Sequence, residues 1–160
     1  MSDQNIRARL QSQGIVVPTA VKPVANYTSG VMAKGSLLFL SGQGTRQDGI
    51  FRYIGKVGEQ FTTEEGAAAA RLCALNVLAQ IEAICGLDAV RRVVKLTGFV
   101  NAASDFTEVP AVLNGASDLM VAAFGADGVH ARSAMGVATL PFGMAVEVEA
   151  IIELKLPIES

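Results

Sequence analysis

The stretch HARSAMGVATLPFGMAVEVEAIIELK, His130 to Lys155, reads as two strands around a reversal at Leu140-Pro141-Phe142-Gly143. Along the second arm Val146, Val148, Ala150 and Ile152 alternate with Ala145, Glu147, Glu149 and Ile151, a period of two that puts the apolar set on one face. Pro141 fixes φ and Gly143 permits the turn, so the two arms are expected to pair as an antiparallel hairpin. With Leu140 facing Met144, that register sets Arg132 opposite Ile152 and Glu147 opposite Val137. Arg132 and Glu147 then point to opposite faces, about 16 Å apart at roughly 3.3 Å per residue. One chain's hairpin does not bring both charges into one pocket. Either they are unrelated, or a second subunit completes the site.

Upstream, Asp105 is expected to cap a helix that runs through Pro110 to Phe124 and closes at Gly125. Val93 to Asn101 reads as a strand. The run GAAAARLCALNVLAQIEAICG follows Thr62-Thr63-Glu64-Glu65, a helix start with a threonine cap and acidic first turn, and extends to Gly86. Tyr27 to Ala33 and Leu37 to Ser41 form a hairpin around Lys34-Gly35, and Thr45 to Phe61 is loop-like with turn signals at Asp48-Gly49 and Gly55. Asp3 to Gln11 can form a short amphipathic helix on Ile6 and Leu10, stopped by Gly14, and Val16 to Pro23 is an extended connector. The order β-β-α-β-α-β-β predicts an α+β fold with two helices on one face of a mixed β-sheet. Residues 1–22 are expected as an N-terminal extension and 23–157 as a single domain. Met135, Val137 and Ile151 fall on the face without helices, which favours burial against another copy of the chain.

The composition, 51% hydrophobic and 18% charged over 160 residues, is that of a globular chain with a core of small side chains. A net charge of −2 gives no basic face, so no nucleic-acid partner is expected. Cys73 and Cys85 lack CxxC spacing and read as reduced, buried thiols. The polar N-terminus and the absence of an uninterrupted apolar run argue against a membrane span and place the chain in the cytoplasm by expectation. His130 is the sole histidine, which leaves a metal site without ligands at suitable spacing. No GxSxG elbow, GxGxxG fingerprint or P-loop is present.

Four features remain that can carry chemistry. Arg132 can grip a substrate carboxylate through paired hydrogen bonds, although a surface arginine at a strand start is the plainer reading. Glu147 can handle a water as acid or base, with Glu149 on the same face to raise its pKa; the plainer reading is the polar side of a strand. Tyr27 offers a phenol, or simply packing. Ser41-Gly42-Gln43-Gly44 ends a strand with two glycines, where backbone can approach a ligand closely.

Ser41-Gly42-Gln43, Phe99-Val100, Ala131-Arg132-Ser133, Leu140-Pro141 and Val146 to Ile151 (VEVEAI), in that order and at those spacings, resemble the Rid/YjgF family, also labelled L-PSP endoribonuclease-like. The resemblance spans roughly Pro23 to Leu156. It implies a chorismate-mutase-like fold and a homotrimer with sites in the clefts between subunits. In deaminating members an arginine, matched by Arg132, binds the carboxylate of a 2-imino or enamine acid, and water releases the 2-keto acid and ammonia without a cofactor. Glu147 matches the water-handling glutamate and Tyr27 looks like the tyrosine lining the pocket; Gly42, from the two-glycine strand end, is a further candidate substrate contact. Ala134 stands where enamine-deaminating members have cysteine, leaving a backbone contact, and Pro110 stands where an asparagine is expected. The N-terminal extension and the Thr45–Phe61 loop resemble a divergent branch. Hydrolysis of reactive imines or enamines is therefore the expected function. A non-catalytic trimer that binds small carboxylates or a protein partner is the alternative, and the acidic net charge ranks an endoribonuclease last.

Overall fold

The computed structural model describes residues 5–155 except 24 and 34. A short helix α1, Ile6–Ser12, is capped by the Asn5 side chain, which accepts from Ala8 N. The strands β1, Gly30–Met32, and β2, Leu37–Gln43, pair antiparallel as expected. The Lys34 half of their turn lies outside the described residues, as does Asp3 of the expected first helix. Helix α2 spans Thr63–Ile84, strand β5 Val90–Asn101, helix α3 Val109–Phe124, strand β6 Ala131–Val137 and strand β7 Val146–Leu154. Within the Thr45–Phe61 segment the Asp48-Gly49 signal makes a small hairpin of β3, Arg46–Gln47, and β4, Ile50–Phe51. Both turn residues have positive φ, 51° and 80°, the combination that such a two-residue reversal requires.

The five-stranded sheet runs β1-β2-β7-β5-β6, with β5 and β6 parallel and the other pairs antiparallel. The mixed sheet with helices on one face is therefore as the sequence predicts, but the expected β6–β7 hairpin does not form. β5 lies between those strands and bonds to both. The reversal at Pro141–Gly143 does exist, with Phe142 and Gly143 in the left-handed region (φ 57° and 71°). Its hydrogen bonds go elsewhere: the Gly143 carbonyl accepts from Gly55 N, and Ala145 N donates to Tyr53 O. The connection steps over β5, whose long apolar alternation makes it the better partner for both neighbours.

The corrected register pairs Arg132 with Leu96 and Glu147 with Phe99. Leu96 is fully buried under the helices, so Arg132 lies on the helix side while Glu147 lies on the open side. The two remain on opposite faces, now two strands and three residues apart, or roughly 14 Å at standard sheet spacings.

The helices sit where capping and small residues put them. Thr62 and Glu65 form the reciprocal capping box of α2. Asp105 does not cap α3; that helix begins only at Val109, with Pro110 in its first turn, and Glu108 accepts a hydrogen bond from the Thr63 hydroxyl at 3.0 Å. Pro110 has no N–H to give the Phe106 carbonyl, so the helix starts later than the sequence reading placed it. α2 and α3 approach so closely that a Cβ on Gly115 would stand 1.9 Å from the Ala67 carbonyl oxygen. By length and apolar composition alone both helices could reach across a membrane, yet 61% of the α2 window is buried within the fold. α1 packs on the same core through Leu10, and Arg9 Nε donates to Ala122 O at 3.0 Å. Cys73 is buried as expected, whereas Cys85 is only half-buried; both are free.

The helix crossing gives a direct stability test. Gly115→Ala forces backbone apart at the α2–α3 contact, with an expected loss of about 2 kcal/mol or more, read as a lower urea midpoint at unchanged slope.

Candidate active site

The main cavity, about 550 Å³, opens between the start of β1, the end of β2, the β3–β4 hairpin and the Pro141–Gly143 turn. Tyr27, Gly42 and Glu147 all line it; Arg132 and Ala134 of the same chain do not. Glu147 reaches it because β7 alternation sends its odd-numbered residues to the open face. A bulge in β2 between Leu40 and Gln43 brings Gly42 directly against that carboxyl. A Cβ on Gly42 would lie 2.0 Å from Glu147 Oε1, so this approach exists only for glycine.

Burial, and then the charge of Glu149, pushes the Glu147 carboxyl above the ordinary carboxylate range. Among the described residues no hydrogen bond holds it down, so it can keep a proton closer to neutrality than a surface glutamate. Beneath it Cys73 is fully buried and bonds to the Val146 carbonyl at 3.3 Å. Burial first, and the Glu147 charge second, hold that thiol well above its usual value, which makes it a poor nucleophile.

The cavity floor rests on two residues that the sequence reading passed over. Asn76 and Gln80 are buried amides one helical turn apart on α2. Asn76 Nδ2 donates to the carbonyls of Gly44 at 2.9 Å and Arg46 at 2.8 Å. Gln80 Nε2 donates to Val21 O at 2.7 Å, which ties the connector to the helix. Two polar side chains at i and i+4 within an apolar stripe were the available signal. Lys56 fastens the rest of the wall: its Nζ donates to Asn101 Oδ1 at 2.7 Å and to the carbonyls of Ala102 and Ala138. The Thr45–Phe61 segment is therefore anchored to the ends of β5 and β6.

Arg132 has its own built environment on α3. Nη1 donates to Asn114 Oδ1 at 2.9 Å and Ser117 Oγ at 3.1 Å, and Nη2 to Pro110 O at 3.2 Å. Of its five N–H donors this leaves Nε–H and one on Nη2 without a partner among the described residues. His130 braces the arrangement: Nδ1 donates to Gly128 O at 2.6 Å, and Nε2 accepts from Ser117 Oγ at 2.9 Å. Pro110, expected as a lost contact, contributes its carbonyl to the guanidinium. Among the described residues no three His, Cys, Asp or Glu side chains converge as a metal site.

The family described as "YjgF/chorismate mutase-like, putative endoribonuclease" matches residues 7–154. The chain belongs to the YjgF family. Its mixed sheet and packed helices are the chorismate-mutase-like fold of that family. Protein TCP17 of Trypanosoma cruzi is 50% identical over 151 residues, covering 93% of this chain and 94% of that protein. The crystal structure of Atu1372 from Agrobacterium tumefaciens, at 40% identity, superposes with a TM-score of 0.88 over 96% of this chain and 94% of its own. RidA from an Antarctic Psychrobacter is 30% identical with a TM-score of 0.59, over 85% and 94% respectively. The chain thus shares the YjgF core with RidA and shares more of its geometry with Atu1372.

The pH dependence of stability follows from Glu147. Its raised folded-state pKa means that the folded chain binds more protons than the unfolded chain between the two values. Stability is full below the ordinary glutamate pKa and falls as pH rises through the elevated one. Glu147→Gln is expected to raise the melting temperature at neutral pH and to flatten that slope, as thermal unfolding across pH 4 to 8 would read. Gly42→Ala is expected to displace the carboxyl and abolish ligand-dependent activity while leaving the fold intact by circular dichroism.

Proposed function

We propose that the protein hydrolyses reactive 2-imino and enamine acids to 2-keto acids and ammonia, at sites shared between copies of the chain in a homotrimer. The observation that carries this reading is Glu147, a partly desolvated carboxyl without a hydrogen bond, set against Gly42 in a cavity that Tyr27 also lines. Membership of the YjgF family supports the chemistry, and the endoribonuclease wording of the family description is set against an acidic chain whose cavity centres on a glutamate. Within one chain Arg132 stands on the opposite sheet face with two donors to spare, so a neighbouring copy must present its clamp to this cavity. The open sheet face supports such assembly, because Val31, Phe39 and Met135 are 57%, 43% and 43% exposed there.

The chemistry requires little more than placement. Arg132 of a neighbour clamps the substrate carboxylate, and the Ala134 backbone lies beside it on β6. The imine enters as the protonated iminium, and Glu147 takes a proton from water as the oxygen attacks the iminium carbon, which gives the neutral carbinolamine. Glu147 returns that proton to nitrogen and then takes the hydroxyl proton as the C–N bond breaks. Ammonia and the keto acid leave, and the last proton passes from Glu147 to ammonia or solvent. A carboxyl poised above the usual range suits these transfers.

Keto-acid release from freshly generated 2-iminopropionate tests the proposal. The wild type is expected to accelerate it, and Arg132→Ala to lose that acceleration by about a hundredfold or more, on the scale of losing a bidentate charge-assisted grip. Glu147→Gln should abolish hydrolysis yet retain keto-acid binding; equal loss of both would favour a carboxylate-binding role without catalysis. No acceleration by the wild type would refute the hydrolase reading.

A further inference from the structure

The cavity carries a second group of residues besides Glu147. Arg46 and Phe51 are cross-strand partners in the β3–β4 hairpin, and the Arg46 guanidinium carbon sits 5.4 Å above the centre of the Phe51 ring. Phe51 also stacks on Phe142 with centroids 4.6 Å apart and planes 18° from parallel. Phe142 is held there by the left-handed turn that Pro141 and Gly143 bracket. Asn76 fixes the Arg46 backbone from below, so the hairpin's approach to the cavity is set by a buried hydrogen bond. Arg46 Nε donates to Gly49 O at 3.3 Å, and among the described residues its Nη groups have no partner. Lys22, on the connector that Gln80 ties down through Val21, lines the same cavity.

Arg46 and Lys22 bring two cations to a cavity that the Glu147 carboxyl also lines. With Arg46 and Phe142 both stacked on Phe51, that ring has little face left for a substrate ring, whereas the Nη donors stay open. The volume, about 550 Å³, matches the range for ligands well beyond a three-carbon acid.

We propose that Arg46, with Lys22, forms a subsite for a distal carboxylate, so that the preferred ligands are dicarboxylic 2-imino and 2-keto acids. This rests on the functional reading above for the reacting carbon near Glu147 and for the Arg132 clamp of a neighbouring copy. The α-carboxylate meets the Arg132 clamp and the side-chain carboxylate meets Arg46. The Arg46–Phe51–Phe142 stack holds the guanidinium rigid and partly desolvated, which strengthens its grip on an anion.

The test compares pyruvate with 2-oxoglutarate by calorimetry on the full chain, for wild type, Arg46→Gln and Lys22→Gln, alongside hydrolysis of the imines derived from alanine and glutamate. The wild type is expected to bind 2-oxoglutarate about tenfold more tightly or better, on the scale of one charge-assisted hydrogen bond. Arg46→Gln should erase that preference with pyruvate binding unchanged, which also shows that the variant is folded. Lys22→Gln should reduce it. Equal binding of the two acids by the wild type, absence of 2-oxoglutarate binding, or a preference that survives Arg46→Gln would overturn the proposal. If neither imine is hydrolysed but the binding preference appears and falls with Arg46, the hydrolase reading fails and the subsite stands.

Discussion

The position of β5 between β6 and β7 governs everything else in this molecule. It is the longest strand, bonded on both sides, and it separates the two charges that a hairpin would have placed on neighbouring strands. Because its alternate residues face the helices and the open side in turn, it assigns Arg132 to α3 and Glu147 to the cavity. The same strand fixes the distance between them, since two strand spacings cannot shrink. The chain therefore has two distinct polar surfaces, one with a carboxyl in a cleft and one with an arginine braced by polar groups.

Each half is held by polar contacts rather than by shape alone, and those beneath the cavity are buried. Asn76 and Gln80 give their amide hydrogens to backbone carbonyls of the cavity rim, satisfying acceptors that would otherwise be left without partners beside an apolar helix. Ser117 links Arg132 to His130, so the guanidinium is positioned through a chain of hydrogen bonds that ends on backbone. Such networks fix direction as well as contact, and direction is what a bidentate grip requires.

Much of the fold was legible because its signals are local. The alternation from Val146 to Ile152, the threonine cap with its acidic first turn at Thr62 to Glu65 and the Gly125 stop each report on a few neighbouring residues, and the structure has all three. The β6–β7 pairing was misread because a reversal states that the chain turns back, not which strand it lands beside. The start of α3 slipped from Asp105 to Val109 because Pro110, which lacks an N–H, belongs in the first turn of a helix and not further inside it. In the cavity, Tyr27, Gly42 and Glu147 could be named from their patterns. Arg46 required knowing that Asp48-Gly49 closes a hairpin, and Asn76 and Gln80 required taking polar residues in an apolar stripe as a clue rather than noise.

The Lys56 staple has a consequence for the environments in which the cavity wall keeps its shape. All three of its partners are neutral oxygens, a side-chain amide and two backbone carbonyls, at 2.5 to 3.3 Å. A charge gripped by dipoles at such short range leaves no gap in which mobile ions can act, unlike a surface ion pair that dissolved salt weakens. The wall should therefore keep its form in concentrated brine as in dilute buffer, while the long-range pull of the cavity's cations on an approaching anion fades.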